Sequence, residues 1–319
     1  MKDTFSRSIH YLRISITDRC NLKCMYCRPR EIPFIPHSDI LRYEEILRVC
    51  NIMVNMGIKV LRVTGGEPLM RKDCVPFLQA LKQIPGLERV TLTTNGVFLQ
   101  EHLQALSALG LDSLNISLDT LSPERYRDIT GSDGFKPVWT AIQQGIELGI
   151  PIKLNFVPIQ GINHEEILPM AKLARDLPIS VRFIELMPSD ESRGLQGVST
   201  DAILAILKAE YSDLEEDHTT HGFGPARMFK SAYMKGRIGL IGALSDGFCT
   251  ACNRLRLTSE GFLQLCLHHN RGIDLRALLR CDADDAAIAD AIAKGIQEKP
   301  ERHGLREGTS LNTMSRIGG

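Results

Sequence analysis

The sequence predicts an α/β fold: a partial (βα)6 barrel of the TIM-like kind, open along one side, followed by a C-terminal α+β region. Three observations predict it. Strand-like and helix-like stretches alternate six times over the first 190 of the 319 residues. Residues with distinctive chemistry fall where the strand-like stretches end. Beyond residue 190 the alternation stops and a hairpin pattern takes over. Strands joined through helices form parallel sheets. Six units are too few for a closed eight-fold barrel. A doubly wound open sheet is the other arrangement that fits, and in both, function sits at the C-terminal ends of the strands. The division expected is residues 1–190 for the barrel and 191–319 for the second region.

Each element has a local reason. Residues 10–17 alternate and carry β-formers, which reads as a strand. Residues 41–56 read as a helix, and Val60–Thr64 as a short strand closed by Gly65-Gly66. A helix over 72–84 leads to the strand Arg89–Thr94, which ends at the turn pair Asn95-Gly96. A helix over 98–109 precedes a strand at 113–118. Helices at 122–130 and 136–148 lead to a strand at 152–157, and a helix at 164–175 leads to one at 180–185. Residues 188–230 are less regular, with a helix at 200–210.

Composition narrows the partners. Lys plus Arg, 38, equals Asp plus Glu, 38, so no whole-molecule field favours nucleic acid or a membrane surface. An anion site must be built locally. No apolar run reaches the roughly 18 residues of a membrane span, and no signal peptide is evident at the start. Nine cysteines without a secretory signal point to a reducing, cytoplasmic setting, where clustered cysteines bind metal. Two triplets take six of them; Cys50 and Cys281 read as small core hydrophobes, and Cys74 is unassigned.

The first triplet is Cys20, Cys24 and Cys27, spaced C-x3-C-x2-C in the loop after the first strand. Three thiolates are one short of a closed zinc site. They suit a cubane iron–sulfur cluster with one iron left open to a small molecule. With the Asn and Tyr between the cysteines, this loop resembles the signature of the radical S-adenosylmethionine (SAM) enzymes. The resemblance implies that the open iron chelates SAM, and that one electron then yields a 5′-deoxyadenosyl radical. It places Tyr26 near the adenine, Gly66 of Gly65-Gly66-Glu67-Pro68 on the SAM amino group, Ser117 on its ribose or carboxylate, and Met187 on its adenine.

The second triplet is Cys249, Cys252 and Cys266, with Arg254-Leu255-Arg256 between them. The stretch reads as a hairpin turning at Ser259-Glu260-Gly261. Alternation puts Leu255, Leu257, Leu263, Leu265 and Leu267 on the buried side, and Cys252, Arg254, Arg256 and Cys266 on the other. From this segment alone, a zinc ribbon completed by His268 or His269 and a second open cluster fit equally. Arg13, Arg62 and Lys153 stand inside otherwise apolar strands; desolvating a charge costs several kcal/mol. Facing one interior, they would make a pocket for a polyphosphate.

The combined motifs, ending in Ile317-Gly318-Gly319, resemble nearly end to end the radical SAM family that cyclises GTP in molybdenum cofactor biosynthesis. The departures are a short lead-in and Arg28 after Cys27. The resemblance implies a lyase holding two [4Fe-4S] clusters and SAM, which joins C3′ of the GTP ribose to C8 of guanine. It assigns GTP to Arg13, Arg62, Thr93, Lys153, Arg254, Leu255 and Arg256, with the second cluster on the guanine. Gly318 and Gly319 would enter the site beside Arg256 and assist the radical step. It implies a flavodoxin- or ferredoxin-like electron donor and a downstream cyclic pyranopterin synthase, and allows a homodimer. A radical SAM peptide-modifying enzyme and a non-catalytic zinc-binding module are the rival readings.

Overall fold

The computed structural model describes residues 1–27, 34–219, 224–242 and 248–302. The first half of the chain runs β1 (Tyr11–Ser15), α1 (Tyr43–Asn55), β2 (Val60–Thr64), α2 (Cys74–Lys82), β3 (Arg89–Thr94), α3 (Leu103–Ala108) and β4 (Ser113–Ser117). Then come α4 (Pro123–Thr130), α5 (Phe135–Glu147), β5 (Ile152–Phe156), α6 (Ile167–Asp176) and β6 (Ser180–Ile184). The six expected strands are thus all present, within a residue or two of their expected ends. The chain continues with α7 (Thr200–Glu210), β7 (Glu215–Glu216), β8 (Arg227–Lys230), β9 (Arg237–Ile241), β10 (Arg254–Leu257), β11 (Phe262–Cys266), β12 (His269–Asp274), α8 (Leu275–Arg280) and α9 (Asp285–Gln297).

Local chemistry sets several boundaries. Ser122 accepts the Arg125 amide at 3.3 Å to start α4, with Pro123 in the first turn, and Gly131 ends it at φ +70°. Ser199 and Asp284 cap α7 and α9 in the same way. Leu99–His102 and His164–Glu166 form 3₁₀ turns before α3 and α6, in place of single longer helices over 98–109 and 164–175.

The chain forms two compact units. The first comprises residues 1–21, 27–92 and 249–319. In it β10, β1, β2 and β3 pair in parallel, and β10, β11 and β12 continue antiparallel. Leu12, Ile14, Leu61 and Val63 are fully buried between its strands and helices. Arg280 and Arg48 reach from and toward the C-terminal helices, pairing with Glu45 and Asp285 across α1. The second unit comprises residues 22–26 and 93–248. In it β4, β5, β6 and β9 pair in parallel, and β8 and β7 add antiparallel to β9. The C-terminal elements are therefore shared between both units.

Two expectations are corrected. Cys281 is exposed, not core: it sits just past the last turn of α8, before the left-handed Asp282, and its thiol reaches Leu278 O at 3.4 Å. Cys50 is buried as expected. Leu267 lies beyond the end of β11 and is only half-buried, because the pairing with β12 shifts between Gln264 and Cys266 and breaks the alternation. No helix among the described residues is long and apolar enough to cross a membrane.

Candidate active site

Within the first unit, strand register builds a row of cations. Arg13 on β1 stands opposite Arg62 on β2 and opposite Arg256 on β10. The row continues to Thr91 on β3 and Gln264 on β11. Partners in register share a face, and adjacent strands are about 4.8 Å apart, so three guanidinium side chains rise side by side. Arg254 joins them at the next same-face position of β10, opposite Tyr11. Arg62 Nε donates to Thr91 Oγ1 at 3.3 Å, and its guanidinium lies 5.6 Å from the Tyr11 ring.

The electrostatics follow from this crowding. Burial, then the like charges of Arg256 and Arg62, hold Arg13 well below its ordinary pKa; Arg254 adds to this and Tyr11 opposes it. Burial and Arg254 push Arg256 down to about 10. A multiply charged anion would relieve the repulsion, as charge-assisted bidentate contacts do for arginine. Leu255 is fully buried on the opposite face, so only its main chain is available to this row. Gln264, missed by the sequence reading, is 1% exposed on the row, with Oε1 buried and unpartnered while Nε2 donates to His269 O at 3.0 Å. Its even spacing from Cys266 was the available signal.

The second triplet lies in the same unit. Cys249 belongs to a 3₁₀ turn, Cys252 precedes β10, and Cys266 ends β11. All three are free and half-buried. Burial raises the Cys252 thiol, but Lys299 and Arg254 outweigh it and hold the thiol below its ordinary value. Burial raises Cys266. Arg7, paired with the buried Asp3, donates to Cys249 O at 2.9 Å, Glu301 O at 3.0 Å and Pro300 O at 2.7 Å. His269 Nε2 faces Arg302 O at 3.2 Å, and His268 is buried. Among the described residues no three His, Cys, Asp or Glu side chains close on one point as around a single ion.

Cys20, Cys24 and Cys27 lie in the loop after β1, free and half-buried. The start of the loop is held by the turn after β2. Gly66 N donates to Thr17 O and Glu67 N to Arg19 O, each at 2.7 Å. A Cβ on Gly65 would meet Thr17 O at 2.8 Å, and one on Gly66 would overlap Arg19 O. The two glycines thus admit the backbone of the cysteine loop. Asp18 Oδ2 accepts the Ile35 amide at 2.7 Å.

In the second unit, Lys23 N and Met25 N donate to Thr130 O and Ile129 O at the end of α4. The Tyr26 hydroxyl donates to Asp119, whose other oxygen accepts the Val157 amide at 2.9 Å. Burial raises the Asp119 carboxyl to about 6, against the pull of Tyr26 and Val157. Asp119 lies two residues beyond the end of β4. Ser117 on β4 is in register with Asn155 on β5, and Asn155 with Arg182 on β6. Lys153 shares the face of Asn155, one pair earlier, opposite Asn115. The Asn155 Oδ1 and Thr93 Oγ1 atoms are buried without a partner. Met187 is half-buried in the segment after β6. Arg13, Arg62, Arg254 and Arg256 are thus brought together in one unit, and Ser117 and Lys153 on one face of the other. Gly318, Gly319 and Arg28 lie outside the described residues.

Comparison with known proteins identifies the family. Residues 14–174 match the Radical SAM superfamily, and residues 179–305 match Molybdenum Cofactor Synthesis C. A protein of Heliobacterium modesticaldum named GTP 3′,8-cyclase is 44% identical over the full length of both chains. One of Moorella thermoacetica with the same name is 43% identical, again over both full lengths. Among solved structures, Streptococcus suis SuiB bound to S-adenosylmethionine superposes with a TM-score of 0.66 at 15% identity, covering 98% of this chain and 72% of that one. That likeness bears on the fold alone, and it supports the α/β partial-barrel class. Matched along its whole length by such relatives, the chain belongs to the radical SAM superfamily and, within it, to the GTP 3′,8-cyclase family.

Proposed function

We propose that this chain converts GTP to 3′,8-cyclo-7,8-dihydro-GTP, the first step of molybdopterin biosynthesis, by joining ribose C3′ to guanine C8. The observation that carries the reading is the row Arg62, Arg13 and Arg256, with Arg254 beside it. Four crowded guanidiniums in a chain of zero net charge form a local anion site, and a triphosphate fits its charge.

Cys20, Cys24 and Cys27 are assigned to a [4Fe-4S] cluster with SAM on its open iron, and Cys249, Cys252 and Cys266 to a second one. Soft thiolates suit such clusters, and the cations at Cys252 favour its thiolate. When bound, the first cluster and SAM supply a 5′-deoxyadenosyl radical. The chain's own residues then have separate tasks. Arg13, Arg62, Arg254, Arg256 and Lys153 hold the triphosphate and purine, with Thr93 and the Leu255 main chain. The unpartnered Thr93 hydroxyl supports its assignment to a ligand. Tyr26, Gly66, Ser117 and Met187 hold SAM, and Gly66 also fixes the loop that carries the first triplet. Gly318 and Gly319 act beside Arg256. Fixing C3′ and C8 in attack geometry is the largest contribution asked of the protein.

The division at residue 190 is proposed as one between the radical SAM partial barrel before it and, after it, the region that carries the second triplet, the hairpin with Arg254 and Arg256, and the Gly-Gly tail. The match boundaries at 174 and 179 support it. A flavodoxin- or ferredoxin-like donor, a downstream cyclic pyranopterin synthase and a homodimer complete the proposed partners.

The test uses anaerobically reconstituted protein, SAM, a reductant and GTP deuterated at C3′. Deuterium in 5′-deoxyadenosine is expected. Deoxyadenosine without deuterium would move the substrate assignment elsewhere, and none at all would end the enzyme reading.

A further inference from the structure

Lys299 follows α9 and is 2% exposed. Its Nζ donates to Arg254 O on β10 at 3.0 Å and to Leu265 O on β11. An ammonium has three N–H donors and no acceptor, and two of them are taken by these carbonyls. Arg254 closely follows Cys252, and Leu265 directly precedes Cys266. The lysine therefore clamps both strands of the hairpin at the ends that bear thiols.

Burying an ammonium is costly unless it is paired. The nearby Arg7 has a carboxylate partner in Asp3. The bonded partners of Lys299 are two carbonyls, with no carboxylate among them. The opposite charge near it is that of the Cys252 and Cys266 thiolates. We infer that Lys299 is a positioning residue of the second triplet, whose buried ammonium, held on the carbonyls beside Cys252 and Cys266, sets a positive charge next to the cluster held there and so raises its reduction potential. This rests on the proposal that the second triplet holds an iron–sulfur cluster. The direction follows from charge: a reduced cluster is one unit more negative, and a buried cation stabilises it more than the oxidised form. Hydrogen bonds to the sulfurs and local charge are among the factors that set such potentials.

The test is an anaerobic redox titration of the reconstituted holoenzyme against dithionite, read by electron paramagnetic resonance. The signal of the second cluster is identified by its absence in Cys266→Ser. Lys299→Met is expected to keep its iron, to leave the first cluster unchanged, and to lower the second potential. A tenfold shift in that one-electron equilibrium reads as about 59 mV. Lys299→Arg, which keeps the charge, should recover most of the shift. Full iron with an unchanged potential would make Lys299 a strut only and overturn the inference. If Lys299→Met loses the second cluster, wild-type protein labelled with 15N-lysine decides. Hyperfine coupling of a lysine nitrogen to the reduced second cluster supports the inference, and its absence overturns it. Zinc, or only one cluster, in wild type removes the cluster reading itself, and this inference with it.

Discussion

At the scale of single residues, Arg256 and Asp119 make opposite kinds of commitment. Arg256 is 8% exposed among cations and holds its charge at a cost that an anion would repay. In Arg256→Ala, formation of 5′-deoxyadenosine should persist while cyclised product falls at least about tenfold, the loss of one charge-assisted contact worth about 1.5–3 kcal/mol. Chromatography of both products checks this, and unchanged yield removes Arg256 from the site. Asp119 is 5% exposed, and burial raises its carboxyl from 3.8 to about 6. The folded chain therefore binds this proton more tightly than the unfolded chain does. Stability should fall as pH rises from about 4 to about 6, by up to about 3 kcal/mol, and then level off. Thermal unfolding of Asp119→Asn against wild type across that window checks it: the variant should lack the slope, and parallel curves would reject the assignment.

At the scale of elements, the turn after β2 and the loop after β1 form one device. Gly66 is needed because the Arg19 carbonyl occupies the space of its Cβ. Gly66→Ala should displace the cysteine loop, and the reconstituted variant should lose about four irons per chain, one cluster's worth. Iron analysis with the second cluster's signal retained is the expected result; full iron would show that the loop can shift without losing its thiols. The β10–β11 hairpin is a second device. Leu255, Leu257, Leu263 and Leu265 bury one face while the arginines and Gln264 occupy the other. Replacing one of these leucines by Ala typically costs about 2–5 kcal/mol.

At the scale of the whole molecule, zero net charge means that GTP attraction is a local property. The crowded row should destabilise the chain without ligand. Arg13→Met should therefore melt higher than wild type in the absence of GTP, since an apolar isostere in place of a buried ion often stabilises by about 1–4 kcal/mol. With GTP the order should reverse or narrow, because wild type gains about 2.7 kcal/mol at a hundredfold excess over Kd. Thermal shifts with and without GTP check both halves, and an equal GTP shift in the two proteins would exclude Arg13 from the site.

The sequence by itself determined the alternation of β1 to β6 with their helices, the two cysteine triplets and the hairpin face that carries Arg254 and Arg256. These are local signals: a period of two in strands, turn residues and cysteine spacing each act within a few positions. Only the tertiary structure decided which strands become neighbours. The parallel pairing of β10 with β1 sets Arg256 opposite Arg13 across more than 240 residues of chain, and no local period encodes it. The same holds for β9 beside β6, for the Tyr26–Asp119 bond, and for Lys299 beneath the second triplet. Lys299 reads in sequence as an ordinary charge after an amphipathic helix. Its burial comes from packing α9 under the hairpin, where backbone carbonyls replace water as its partners.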